Sequence, residues 1–278
     1  MNPIWLADVV RRALNEDIGY GDLTTEAIVS ANSQASGTII AKEAGRIAGS
    51  EVAALAFNLL DPSVNFTIIA ADGTDVQAGQ QVAQVKGSAG SVLMGERVAL
   101  NFMQNMSGIA TITAQAVREA APHKARIVDT RKTTPTLRPL EKYAVRMGGA
   151  LNHRYGLDDA VLIKENHLAV AGGITQAVSL VRRRVGHMVK VEVEVEHLEQ
   201  IPEALAAGVD AILLDNMDIP TMRQAVAKIA GRITVEASGN ITVDRVAEVA
   251  ATGVDIISMG QLTRSAPALD LSLRLCLQ

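Results

Sequence analysis

From about residue 125 onward, six short apolar runs each end in polar or glycine residues, and an amphipathic stretch follows each run. The runs are ARIVDT (125–130), AVLIKEN (160–166), VKVEVEVE (189–196), AILLDN (211–216), ITVEASGN (233–240) and DIISMG (255–260). Strand and helix patterns that alternate in this way predict parallel strands with helical crossovers. Because the pattern shows no switch in strand order, we expect an incomplete α/β barrel rather than an open sheet.

The first part of the chain has a different pattern. The stretch 3–15 is helical in its periodicity, whereas 36–49 and 64–87 alternate apolar and polar residues as strands do. Asp-Gly and Ala-Gly pairs within 64–87 are typical of hairpin turns. These features predict a helix followed by a β-rich scaffold.

A long helical pattern over 91–121 connects the two parts of the chain. We therefore predict a first domain at 1–108 and a barrel domain, which carries the catalytic site, at 109–267. A C-terminal helix near 268–278 is expected to join the first domain.

Composition excludes several classes of protein. The net charge of −4, the pI of about 5.8 and an aromatic content of 3% argue against a nucleic-acid partner. Cys276 is the only cysteine, so no intramolecular disulfide can form and a reducing compartment is expected. Charges interrupt the first 17 residues too early for a signal peptide or a membrane span. We expect a soluble cytoplasmic protein.

Charged or polar residues follow nearly every predicted strand of the barrel, and in such barrels the chemistry lies at the carboxyl ends of the strands. These residues are Asp129, Arg131, Lys132, Lys164, Glu165, Asn166, Glu192, Glu194, Glu196, Asp215, Asn216, Glu236, Ser238, Asn240, Ser258 and Gly260. A barrel that served only as a scaffold would not need them. We therefore predict a functional site at this end of the barrel.

The run VKVEVEVE alternates valine with charged residues, although parallel strands are normally apolar on both faces. One interpretation is an edge strand with a solvated face, or a buried pair of Lys190 and Glu192. The other is that the charged face, which includes Glu194, points into a polar barrel lumen near a cationic ligand or metal. We favour the second interpretation, because perturbed carboxylates concentrate at functional sites.

Cations cluster around one end of the predicted barrel. They are Arg131, Lys132, Arg138, His153, Arg154, Lys164 and His167. Arginine forks suit carboxylate and phosphate oxygens, and lysines act beside them as point charges. His153 and His167 lack the close spacing of zinc ligands on a helix, so hydrogen-bonding roles are favoured over a metal.

The last two predicted strands end in EASGN (236–240) and SMG (258–260). Small residues before a helix expose backbone N–H groups that can hold a phosphate. Ordinary tight turns that need glycine would give the same pattern. The nearby cations favour the phosphate interpretation.

The run DTRKTTPTLRPLEKYAVRMGGALNHRYGLDDAVLIKENH (129–167) strongly resembles the quinolinate phosphoribosyltransferase family, also called nicotinate-nucleotide pyrophosphorylase (carboxylating). The resemblance extends through EDIGYGDLTT, GERVALNFMQNMSGIAT, VEVEVEHLEQ, ILLDNM, EASGN and SMG, in that order. It implies an N-terminal α/β sandwich on an incomplete parallel α/β (TIM-like) barrel. It also implies a pentosyltransferase of NAD biosynthesis that uses Mg2+ to join quinolinate and phosphoribosyl pyrophosphate, giving nicotinate mononucleotide, pyrophosphate and carbon dioxide.

By this resemblance, each residue set has an expected role. The expected quinolinate site consists of Arg97, Thr130, Arg131, His153, Arg154 and Lys164. The expected phosphoribosyl pyrophosphate site consists of Lys132, Glu194, Asp215, Ser238, Gly239, Asn240, Ser258 and Gly260. Lys132, Lys164, Glu194 and Asp215 are the expected catalytic residues, and Glu194 and Asp215 would hold Mg2+, partly through water. The resemblance further implies a homodimer with shared active sites, in which the neighbouring subunit supplies Arg97.

Two positions depart from the family pattern, and two other functions compete with it. Thr136 and Ala150 stand where the family motifs are expected to have glycine. The first competitor is a paralogous pyrophosphorylase of the molybdate-transport type, which lacks the NHR and KENH motifs present here. The second is a barrel lyase or isomerase that acts on a sugar phosphate and forms a Schiff base at Lys164.

Overall fold

The structure is a computed structural model that describes residues 1–277. The chain divides into two compact units. The first unit contains Met1–Ala114, Pro139–Gly149 and the chain from Ala266 onward, and the second contains Gln115–Arg138 and Ala150–Ser265. None of the helices in the described part of the chain combines the length and the hydropathy that a bilayer-spanning helix needs.

The first unit has mixed α and β structure. Its helices are α1 (Pro3–Ile18), α2 (Leu23–Ile28), α3 (Ser50–Leu60) and the greater part of α4 (Ala89–Ala120) and α5 (Arg138–Met147). Its strands are β1 (Gln34–Ala41), β2 (Gly45–Arg46), β3 (Asn65–Ile68), β4 (Asp75–Val76), β5 (Gln81–Ser88) and β12 (Leu271–Leu277). A four-stranded antiparallel sheet has the order β12-β1-β5-β3, and β2 pairs with β4.

The helix predicted near 268–278 is wrong, because the segment forms the edge strand β12 over Leu271–Leu277. It runs antiparallel to β1, with Leu271 opposite Ala41 and Leu275 opposite Gly37. The sequence LSLRLCL places leucine at every second position, and this period of two matches a strand rather than a helix. Gln278, the last residue of the predicted helix, lies outside the described residues.

The second unit contains a six-stranded parallel sheet, and each of the six apolar runs contributes one strand. The strands are β6 (Arg126–Val128), β7 (Val161–Ile163), β8 (Val191–Val195), β9 (Ala211–Asp215), β10 (Thr234–Ser238) and β11 (Ile256–Ser258). Helices follow them: α6 (Glu165–Ala171), α7 (Ile174–Arg182), α8 (Ile201–Ala206), α9 (Ile219–Ile229), α10 (Val246–Ala250) and α11 (Gln261–Arg264). Short 3-10 helices cover Leu198–Gln200 and Val243–Arg245.

The sheet order is β6-β11-β10-β9-β8-β7, so consecutive strands β6 and β7 form opposite edges. Residues at the carboxyl ends of all six strands nevertheless line one cavity, which requires the sheet to curve around it. At its outer edge β6 makes a bridge from Val128 to Leu151, a residue that precedes β7. The predicted α/β fold with an incomplete barrel is therefore confirmed.

A tight turn follows the first barrel strand and contains one of the two departures from the family pattern. The backbone N–H of Leu137 donates to the carbonyl of Thr134 at 3.1 Å, and Pro135 and Thr136 are the two central residues. Thr136 has a φ of 68°, in the left-handed region. Proline followed by a residue with positive φ is the signature of a type II turn, whose second central position favours glycine. Thr136 is therefore strained, because β-branched residues rarely adopt this conformation.

The other departure has no such consequence. Ala150 is buried, and it is not among the described residues that have a positive φ. The neighbouring Gly149 has a φ of 93° and takes the left-handed position itself. Alanine is thus compatible with the backbone at position 150.

We predict that Thr136→Gly stabilises the protein. The left-handed conformation costs a non-glycine residue about 1–2 kcal/mol, and the change to glycine removes this cost. The greater freedom of glycine in the unfolded chain reduces the resulting stabilisation by about 0.5–1 kcal/mol. Chemical denaturation should show a free energy of unfolding that is higher by up to about 1.5 kcal/mol. Thr134→Gly, two positions earlier where φ is not positive, is the control and should destabilise; equal destabilisation by both changes would contradict the strain.

Candidate active site

A cavity of about 470 Å³ lies at the carboxyl ends of the barrel strands. The residues that line it are Thr130, Arg131, Lys132, His153, Arg154, Leu162, Lys164, Glu194, Leu213, Asp215, Asn216, Glu236, Ser238, Gly239, Asn240 and Ser258. A smaller adjoining pocket of about 180 Å³ shares several of these residues and adds Gly260 and Arg264. Every barrel residue to which the family resemblance assigns a role therefore lines one of two neighbouring spaces. Arg97 lies on α4 in the first unit, at an exposed position, and its role stays a prediction.

Arg131 and Arg154 form the cationic part of the cavity wall. Arg154 donates from Nη1 to the carbonyl of Ala160 at 2.9 Å. Burial is the main cause that lowers the pKa of Arg154, the charge of Arg131 adds to it, and Glu192 opposes both. In the described part of the chain, Nε of Arg131 is buried and has no hydrogen-bond acceptor. Since buried donors are nearly always paired, this atom indicates a place for an anionic ligand.

Arg138, which the sequence places with these cations, has a different role. Its guanidinium donates to Thr133 Oγ1 at 3.0 Å and to the carbonyl of Tyr155 at 2.9 Å. It therefore fixes the loop between Lys132 and α5 rather than lining the cavity. The backbone of Lys132 is also fixed, because its carbonyl accepts from Thr263 Oγ1 at 2.8 Å.

Opposite charges also meet on the neighbouring strands β7 and β8. Lys164 Nζ lies 3.1 Å from Glu194 Oε2, with the lysine half exposed and the glutamate mostly buried. Lys190, in contrast, is exposed and pairs with Asp210 at 3.1 Å. Strand β8 is an interior strand of the sheet. The interpretation of VKVEVEVE as an edge strand or as a buried Lys190–Glu192 pair is therefore wrong, and Glu194 faces the cavity.

A buried hydrogen-bond network holds His153 in the wall of the cavity. The carboxylate of Asp129, which is fully buried, accepts from the backbone N–H of His153 at 2.8 Å and from Asn152 Nδ2 at 2.7 Å. Nδ1 of His153 accepts from the backbone N–H of Arg154 at 2.7 Å. The ring proton therefore belongs on Nε2, which lies 3.3 Å from Glu192 Oε2 and 3.5 Å from Glu236 Oε2.

Glu236 is the most unusual acid of the site. It is 4% exposed, and its Oε1 is buried without a hydrogen-bond partner among the described residues. Burial, and then the charge of Glu192, raise the pKa of Glu236 to about 7, although His153 and the Ser258 hydroxyl lower it. A carboxyl group in such a place exchanges its proton near neutral pH.

Asn216, Gly239 and Asn240 form a compact corner at the ends of β9 and β10. All three have positive φ, at 51°, 100° and 49°. A side chain on Gly239 would overlap the amide of Asn216, so this position requires glycine. Asn216 Nδ2 donates to Asp215 Oδ2 at 2.7 Å and thereby orients that carboxylate. The tight-turn interpretation of EASGN is thus correct for Gly239, and the adjoining pocket still leaves space for an anion.

Comparison with known proteins decides the family. The model of the "Quinolinate phosphoribosyl transferase, N-terminal domain" matches residues 22–107, and that of the C-terminal domain matches residues 109–274. The chain belongs to the quinolinate phosphoribosyltransferase family.

Individual relatives agree with this assignment over nearly their whole length. The "Probable nicotinate-nucleotide pyrophosphorylase [carboxylating]" of Synechocystis is 48% identical, with 94% of this chain and 90% of that protein covered. The protein of the same name from Bacillus subtilis is 44% identical over 98% of this chain and 94% of its own. The crystal structure of NadC from Streptococcus pyogenes has a TM-score of 0.96 at 42% identity, and covers 100% of this chain and 99% of its own.

The sequence indicates most of the cavity wall, but it marks Asp129, Glu192 and Glu236 only as charged residues at the strand ends, without a specific role. Asp129 and Glu236 end strands in the sequence, and the alternation in VKVEVEVE marks Glu192. The signal was therefore present for each of them. Their joint contact with His153 depends on segments far apart in the chain, and only the structure brings these together.

The pKa of Glu236 predicts a pH-dependent effect of Glu236→Gln on stability. Because the pKa of Glu236 is raised in the folded protein, the folded protein keeps the carboxyl proton at pH values above 4.5, the ordinary pKa, where the unfolded chain loses it. Wild-type stability is therefore lost progressively as pH rises from about 4.5 toward about 7. The neutral glutamine avoids this loss, so the variant should gain stability relative to wild type across this window, by about 1.4 kcal/mol per pH unit at most.

Denaturant titrations of both proteins at several pH values measure this difference. Glu248→Gln, which changes an exposed glutamate in the same way, is the matched control and should show no such trend. A stability difference between Glu236→Gln and wild type that stays constant with pH would contradict the buried, protonated carboxyl.

Proposed function

We propose that this protein transfers the phosphoribosyl group of phosphoribosyl pyrophosphate to quinolinate and releases pyrophosphate and carbon dioxide, giving nicotinate mononucleotide for NAD biosynthesis. The observation that carries the proposal is the buried, unpaired Nε of Arg131 beside Arg154 in a cavity whose other side holds carboxylates. Relatives that are 48% and 44% identical bear the name of this activity. The quinolinate dianion needs cations and the cation-like transition state at the ribose needs carboxylates a short distance away. The cavity contains both.

Quinolinate belongs at the cationic end. Its two carboxylates lie on adjacent ring carbons, so they need several donors close together. Arg131 and Arg154 supply guanidinium groups, Lys164 supplies an ammonium group, and Thr130 supplies a hydroxyl. His153 contributes its ring rather than a charge, because both of its nitrogens are already engaged within the protein. Its role is thus to position Arg154 through the backbone contact at Nδ1.

Phosphoribosyl pyrophosphate belongs at the end formed by the later strands. The residues available for its 5′-phosphate are Ser238, Gly239, Asn240, Ser258 and Gly260. Lys132 lines both the cavity and the adjoining pocket, so it can contact phosphate oxygens between the two substrates. Glu194 and Asp215 remain for the ribose hydroxyls.

Glu194 and Asp215 also suit Mg2+, which prefers carboxylate and water oxygens. They end the neighbouring strands β8 and β9, and both line the cavity. Glu194 is the ion-pair partner of Lys164, so a cation bound there would free that lysine for substrate. When bound, Mg2+ would neutralise the charge on the departing pyrophosphate.

The bond changes balance without an organic cofactor. The ring nitrogen of quinolinate attacks the anomeric carbon, and the bond to pyrophosphate breaks with its electron pair. The ring nitrogen is then quaternary and positive. When the adjacent carboxylate leaves as carbon dioxide, its electron pair stays on the ring carbon, which takes a proton. Carboxylates such as Glu194 and Asp215 stabilise positive charge that develops on the ribose.

The geometry disfavours a Schiff-base lyase. A Schiff base needs a lysine with a free lone pair, whereas Lys164 Nζ is held 3.1 Å from Glu194 Oε2. For the molybdate-transport type, the distinction rests on Asn152, His153 and Arg154. All three are present here, and the first two bind the buried Asp129.

We predict that the purified protein with Mg2+ and phosphoribosyl pyrophosphate releases carbon dioxide from quinolinate and turns over nicotinate at least about 100-fold more slowly. A site built for two carboxylates leaves a buried arginine unpaired when one is missing, which costs several kcal/mol. Measurement of carbon dioxide and pyrophosphate with each acid tests this prediction. Comparable turnover of both acids would contradict it, and Lys164→Ala serves as the inactive control.

We also propose that the protein is a cytoplasmic homodimer with shared sites, in which Arg97 of one subunit serves the cavity of the other. An alternative is that Arg97 pairs with an acid on its own helix, such as Glu96. The charge of Arg97 lowers the pKa of Glu96, although burial has the larger effect and raises it. Arg97→Ala and Lys132→Ala should each be inactive alone. When the two are refolded together, half of the dimers are mixed and each has one intact site, so about a quarter of the sites should recover.

Tagged subunits confirm that mixed dimers have formed in this experiment. If Arg97 acts within its own chain, every site in a mixed dimer keeps one defect. Mixed dimers without recovered activity would therefore exclude the shared site.

A further inference from the structure

Glu236 lines the cavity, but the proposed chemistry gives it no task. It has one contact of ion-pair length, from Oε2 to His153 Nε2 at 3.5 Å. In the described residues, no arginine or lysine forms an ion pair with it. Lys164, which lines the same cavity, has Glu194 as its ion-pair partner. Glu236 is thus a buried acid without a cation of its own.

The groups that face Glu236 come from three other elements. Glu192 on β8 adds a second carboxylate, His153 comes from the loop before β7, and Ser258 on β11 adds a hydroxyl. Ligand atoms of His153, Glu192 and Glu236 all lie within 4.8 Å of one another. Arg154 lies near Glu192 and balances the charge of that residue. Two buried carboxylates so close together cannot both stay ionised without further compensation.

A proton fits this cluster better than a metal ion does. A metal ligated by Nε2 of His153 would need that nitrogen without its proton. Nδ1 of the same ring already accepts from the backbone N–H of Arg154 at 2.7 Å, so it carries no proton either. The ring would have to be an anion. A proton on the carboxyl of Glu236 removes the repulsion without this cost.

A bound dicarboxylate further favours the protonated form of Glu236. It adds two negative charges to the cavity that Glu236 lines, and ionised Glu236 would repel them in a medium of low dielectric constant. A protonated carboxyl would not, and it would also offer a hydrogen-bond donor at the wall of the cavity. The protonated state therefore binds the dianion more tightly than the ionised state.

We propose that Glu236 is a proton site linked to the substrate: it must be protonated when the dicarboxylate binds, so that binding above neutral pH takes up one proton. This inference rests on the proposed function for the identity of the dicarboxylate. It assigns to Glu236 a role in specificity and in pH dependence rather than in bond making. The empty protein loses the proton as pH rises through the pKa of the free site.

Calorimetric titration of the full-length protein with quinolinate tests the linkage. Above pH 6 both carboxylates of the ligand stay ionised, so any proton taken up comes to the protein. Titrations in two buffers of different ionisation enthalpy count the protons. Wild type should take up close to none at about pH 6 and close to one at about pH 8.5, and its dissociation constant should rise about tenfold per pH unit above the pKa of Glu236.

Glu236→Gln is the decisive variant, because its amide is neutral at every pH and keeps the size of the side chain. It should bind quinolinate at about pH 6 within a few-fold of wild type, and it should lose both the proton uptake and the pH dependence. Glu248→Gln, which changes an exposed glutamate outside the cavity in the same way, is the matched control and should keep the proton uptake of wild type. Unchanged uptake in Glu236→Gln, or a folded variant that fails to bind at pH 6, would overturn the proposal.

Infrared spectroscopy of wild type alone covers the case in which the variant does not fold. A protonated carboxyl band should be present in the empty protein at about pH 6, should weaken above neutral pH and should return when quinolinate is added. Absence of that band at both pH values would overturn the proton site. If quinolinate binds neither protein at any pH, the proposed function fails, whereas the band of the empty protein reports on Glu236 independently.

Discussion

The parallel arrangement of the six barrel strands places all their carboxyl ends on one side of the sheet. Because the sheet curves, residues that follow the edge strands β6 and β7 line the same cavity as those from the interior strands. Most apolar side chains of the strands are buried, and most of the polar residues that line the cavity lie at or just after the strand ends. Substrate specificity in this fold therefore depends on which charges the strand ends place opposite one another.

Charge compensation explains how so many ions share this small space. An unpaired buried ion is strongly unfavourable, and most ions here have a partner on a neighbouring strand or loop. Lys164 pairs with Glu194, and Arg154 balances Glu192. Among the described residues, two charged groups of the cavity wall each keep a buried atom without a hydrogen-bond partner, namely Nε of Arg131 and Oε1 of Glu236. An anionic substrate would supply an acceptor for Nε of Arg131, and a proton would neutralise the carboxyl of Glu236. Binding of a dicarboxylate together with a proton would therefore complete the pairing of charges in the cavity.

Local patterns in the sequence are sufficient for the barrel and for most of the cavity wall, because each strand there is a short run rich in apolar residues that ends in polar residues or glycine. The helix predicted for the C-terminal segment is wrong although leucine at every second position favours a strand, and the pairing with β1 that completes this strand joins residues more than 200 positions apart. The network around His153 likewise joins segments that are far apart in the chain, and no local pattern indicates it. Motif resemblance named His153 as a cation for quinolinate, but both of its nitrogens bind groups of the protein. Contacts that define protonation are long-range and leave little trace in a single stretch of sequence.

The turn at Thr136 shows how the same long-range contacts can hold a locally unfavourable conformation. Before the turn, the carbonyl of Lys132 accepts from Thr263, and after it Arg138 binds Thr133 and the carbonyl of Tyr155. With both ends fixed, the chain between them has too few residues to relax, and Thr136 remains at a φ of 68°. Strained residues persist where the surrounding structure determines the backbone. Thr136 is therefore strained in a loop whose fixed backbone holds Lys132 in the cavity wall.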